Sequence, residues 1–138
     1  MSSGAVIDDK LILEALSGRS LVVDGPLATT NCWWWRMSVA LRRRTGGALS
    51  GPALTLSPVE FDALLRTIDH LPEQLMIPDL RETLPLAADL AAEHQLNLMS
   101  AEALAVAATI DADLVVATDN PSLARAAASI RVSYRVTP

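Results

Sequence analysis

Apolar positions along the chain fall into two alternating patterns. Residues 5–7, 21–23, 74–77 and 114–117 form short runs, mostly apolar, and read as strands, the last of them buried on both faces. Between them, apolar residues recur every three or four positions, which is the helical period. The first such stretch carries Leu11, Ile12, Leu13 and Leu16, with Asp8 or Asp9 as its cap and Gly18 as its stop. The run at 21–23 is closed by the turn Asp24-Gly25-Pro26, and the next helix spans 30–44 and ends at Gly46-Gly47. Residues 45–56 hold four Gly or Pro positions and read as a loop. In Ser57-Pro58-Val59-Glu60, Ser is the cap, Pro the first helical residue, and Glu stands three residues after Ser. Phe61, Leu64, Leu65 and Ile68 make the apolar face of that helix, which stops before Pro72. Further helices are expected at 83–94, at 101–110 behind a Ser100 cap, and at 121–128 behind Asn120 or Asp119. Residues 131–136 alternate Arg and Ser with Val and Tyr, as an edge strand does.

Strands alternating with helices predict an α/β fold, a three-layer α/β/α sandwich around a mainly parallel sheet. At 138 residues and 51% hydrophobic, the chain is one domain able to bury a core without staples. Its net charge of −5 gives no general footprint for nucleic acid, which would have to dock on a local basic patch. Cys32 is the single cysteine, so no intramolecular disulfide forms. No apolar run has the length of a membrane span and no export signal opens the chain, so membrane association is not expected and the cytoplasm is the default compartment. Ten arginines against one lysine, with abundant alanine, suggest a GC-rich bacterial genome.

Candidate chemistry lies in the acids. Asp8 and Asp119 each follow a strand, and Glu102 opens a helix near the same sheet edge, where α/β folds bind ligands. Carboxylates gathered there repel one another until a hard cation relieves the repulsion, and the metal then activates water for phosphodiester hydrolysis. The competing reading is capping: each acid stands at or near a helix N-terminus, where it satisfies free N–H groups and opposes the macrodipole.

Three segments carry a family resemblance. AVIDDKLILEAL, with Asp8 leading, SAEALAVAA, with Glu102, and LVVATDNPSLARAA, with Asp119, resemble the first, third and fourth acidic motifs of the PIN domain. PIN domains are metal-dependent nucleases and include the VapC-type toxins of bacterial toxin–antitoxin pairs. The resemblance implies an endoribonuclease using Mg²⁺ or Mn²⁺, with Asp8, Glu102 and Asp119 as catalytic metal ligands and Asp9 as an extra one. It further implies RNA and a cognate antitoxin as partners. Two departures mark the acidic site as degenerate. TTNCWWWRMSVALRRR holds no acid where the family has its second one, and Arg36 falls about there. After the first strand, Asp9-Lys10 replaces the usual small hydroxyl, and a cation opposes metal binding by direct repulsion. TTNCWWWR also resembles a Thr-Thr-x-x-Trp-aromatic-aromatic-Arg signature of PIN-like proteins from GC-rich bacteria. A non-catalytic PIN-like binding module is the alternative.

Trp33, Trp34 and Trp35 are successive helical positions about 100° apart, so one stripe cannot bury all three. The exposed one is expected to face a loop, a homodimer seam or RNA bases, with Trp34 as the candidate contact. Arg36 with Arg42, Arg43 and Arg44 forms a basic cluster suited either to a helix C-terminus or to phosphates. His70 and His94 lack metal-ligand spacing and are expected at the surface, and Cys32 is expected buried and inert.

Overall fold

The computed structural model describes residues 4–17, 25–44 and 55–137. Eleven elements follow one another among them: β1 (Ala5–Ile7), α1 (Asp9–Leu16), β2 (Leu27–Ala28), α2 (Asn31–Arg43), α3 (Pro58–Asp69), β3 (Leu75–Met76), α4 (Leu80–His94), α5 (Leu98–Ile110), β4 (Asp113–Val116), α6 (Pro121–Ser129) and β5 (Tyr134–Val136). The strands form one parallel sheet in the order β3-β2-β1-β4-β5. The fold is a three-layer α/β/α sandwich.

Alternation along the strands divides the core. Val6, Leu114 and Val116 face one way and pack with α4, α5 and α6. Ala5, Ile7 and Val115 face the other way and pack with α1, α2 and α3. The alanine-rich α5 is buried over most of its length, because small side chains let it lie close to β1, β4 and α4. No described helix is long and apolar enough to cross a membrane.

Most predicted elements are present, and the differences have local causes. The expected strand at 21–23, the Gly18 and Gly46-Gly47 stops and most of the 45–56 loop lie outside the described residues. A two-residue strand, β2, stands at Leu27–Ala28, too short to give a periodic signal. Ser100 is not a cap: Asn97 takes that role, accepting the Ser100 N–H at 2.9 Å, and Ser100 is the third helical residue. α4 begins at Leu80 behind Asp79 and carries Pro85 inside it, where the sequence places the start at residue 83. The last strand is shorter than expected because Arg131 adopts a left-handed φ of 62° in a turn; Val132 and Tyr134 face inward as predicted, and Val136 is exposed. β5 is nevertheless an edge strand. The Ser57–Glu60 capping box forms as predicted.

Candidate functional site

Strand order reverses between β1 and β4, and in an open parallel sheet such a switch point leaves a crevice beyond the strands' carboxyl ends. A cavity of about 420 Å³ opens there. Trp33, Met99, Val116 and Leu123 supply its apolar wall, while Asp8, Asp9, Lys10 and Arg36 bring charge to it.

Asp8 is the residue at which β1 turns into α1. Its Oδ1 accepts the Leu11 N–H at 2.9 Å and caps α1, and its Oδ2 accepts the Ala117 N–H at 2.8 Å just past β4. One carboxylate thus ties the two central strands together at the switch point. Burial pushes the Asp8 carboxyl above its ordinary value; the two N–H bonds lower it, Asp9 adds repulsion, and Arg36 opposes that.

Asp9 is buried in the first turn of α1 and meets Arg36 of α2 in a two-pronged ion pair. Arg36 Nε donates to Oδ2 at 2.6 Å and Nη2 donates to Oδ1 at 2.9 Å, while the Lys10 N–H also donates to Oδ1 at 2.9 Å. The Asp9 side chain is 3% exposed and that of Arg36 48%. Such a half-exposed pair is worth of order 1–2 kcal/mol, between the surface and buried limits. The bond to Asp9 holds the guanidinium still more firmly protonated than usual.

Glu102 has a different task. It is wholly buried in α5, and its carboxylate meets the N-terminus of α2. Oε1 accepts the Cys32 N–H at 2.8 Å, and Oε2 accepts both the backbone and the side-chain N–H of Asn31 at 2.9 Å. Asn31 in turn donates to the Pro78 carbonyl, so α5, α2 and the segment before α4 meet at one carboxylate. Glu102 is a capping acid, but of a helix seventy residues away in sequence. Asp119 is exposed after β4 and accepts the Tyr134 hydroxyl at 2.9 Å; the adjacent Asn120 caps α6.

The structure therefore brings Asp8, Asp9 and Arg36 to one cleft and does not bring Glu102 or Asp119 onto its wall. Among the described residues, no three His, Cys, Asp or Glu side chains are grouped as a metal ion needs. The expected ligand set of Asp8, Glu102, Asp119 and Asp9 is not assembled, and its donors do not fit Mg²⁺ or Mn²⁺ as they stand. Oxygens of Asp8 and Glu102 already accept N–H groups, and those of Asp9 face a guanidinium. An N–H bond does not by itself keep a carboxylate from a metal, but the Arg36 guanidinium against Asp9 opposes a divalent cation there by direct repulsion.

The tryptophans divide by helical angle. Trp33 is buried; Trp34 is half-buried and donates its indole N–H to the Ile68 carbonyl at 2.8 Å; Trp35 is 66% exposed. Trp35, not the expected Trp34, is thus the exposed one of the three, because Trp34 turns toward α3. Of the basic cluster, Arg42 pairs with Asp69 at 2.6 Å, Arg44 lies 4.5 Å over the Phe61 ring, and Arg43 is exposed. These contacts fasten α2 to α3. His70 is exposed and His94 lies near Ser129. Cys32 is half-buried, not buried, and burial together with the neighbouring Glu102 pushes its thiol up to about 12, which leaves it protonated and unreactive. Asn31 and Tyr134 hold the site together and carry no sequence signal, since an Asn after Thr-Thr and an edge Tyr are ordinary residues.

No family model and no curated protein matches the sequence. Among solved structures, the chain is similar to the crystal structure of PAE2754 from Pyrobaculum aerophilum. The TM-score is 0.51 and the identity 19%, covering 96% of this chain and 83% of that one. At that identity, the likeness bears on the fold alone.

Proposed function

We propose that this chain is a PIN-like domain of the VapC-type lineage that works as a binding module, through a second copy of itself or a partner protein such as an antitoxin. In this reading it does not cleave RNA with Mg²⁺ or Mn²⁺. The observation that carries the proposal is the Asp9–Arg36 pair, 2.6 Å at its shorter contact, in the cleft where a nuclease would hold its cation. A tethered guanidinium supplies the positive charge that the acids of such a site require, and it cannot activate water. Glu102 supports the same reading, because withdrawing it to a metal would free three N–H donors at the start of α2. The reducing cytoplasm suits a protein whose one thiol is held protonated.

The test is a titration of the purified protein with Mn²⁺, followed by calorimetry, alongside incubation with single-stranded RNA in Mg²⁺ or Mn²⁺. No binding heat at millimolar metal and intact RNA are expected. Metal-dependent cleavage that disappears in Asp119→Asn or Asp8→Asn would restore the endoribonuclease reading and overturn this one.

A further inference from the structure

We draw no further inference here: the strongest candidate, the apolar groove between α1 and the strands β2 and β3 that Ile12, Leu16, Pro26, Leu27, Pro72 and Leu75 line, carries nothing because nothing in the structure shows what covers it.

Discussion

Glu102 joins three parts of the chain through one buried carboxylate, so its chemistry is testable at a single atom. Glu102→Gln keeps the shape but turns one acceptor into an NH₂ that faces an N–H donor. A loss of roughly 2–3 kcal/mol is expected in urea unfolding, since a buried hydrogen bond to a charged group is worth about that. An unchanged midpoint would mean that the α2 N-terminus does not depend on it. Asp8 adds a pH signature. Its folded carboxyl lies above the ordinary value of 3.8 because burial disfavours the charge. The folded state therefore holds more protons than the unfolded chain in that window, and stability falls as pH rises from the ordinary value through the raised one. Asp8→Asn lacks this titration. Its stability deficit against the native chain should narrow as pH rises from about 4 to 7. A deficit that widened would count against a buried, unfavourable charge. At this scale the sequence marked all four acids as capping or metal-binding residues. It could not say which N–H groups they would meet, because the donors for Glu102 come from residues 31 and 32.

The helices were legible where their signals are local. Ser57 and Glu60 exchange hydrogen bonds within four residues, and the capping box formed where the sequence put it. The bond to the Ser57 N–H also holds the Glu60 carboxyl below its ordinary value. Ser57→Ala should cost about 1 kcal/mol at neutral pH, measured by thermal unfolding, with the melting temperature shifted and the cooperativity unchanged. A neutral outcome would mean that α3 is held by Phe61, Leu64 and Ile68 against the core, with the cap adding nothing. α5 shows the limit of local signals. Ser100 and Asn97 are both good caps, and Asn97 prevails because starting the helix one turn earlier buries Ala101 against the core. α4 shows the same limit: Pro85 argues for a late start, yet Asp79 caps the helix a turn and a half before it.

At the scale of the molecule, the exposed Trp35 is where the proposed module reading can be tested. It stands on the outer side of α2, opposite Met37 and Leu41, which are buried. A large exposed aromatic is the kind of residue that anchors an interface. On the proposed module reading, sedimentation mass should rise with concentration, and Trp35→Ala should abolish that rise with the melting temperature of the monomer kept. Trp34→Ala should instead destabilise the fold, because its indole is bonded to Ile68 inside it. A monomer at every concentration would direct the search to a partner protein.

The sequence by itself determined the alternation of strands and helices, the caps of α1, α3 and α6, and hence the α/β/α class. These depend on periodicity and on contacts three or four residues apart. Only the tertiary structure decided what the acids do. Asp8 stands at a switch point because β1 pairs with β4 more than a hundred residues later. Asp9 faces Arg36, and Glu102 faces the start of α2, because the helices pack on particular sides of the sheet. A carboxylate is a ligand, a cap or half of an ion pair according to which positive group reaches it first, and that is a fact about distance in space.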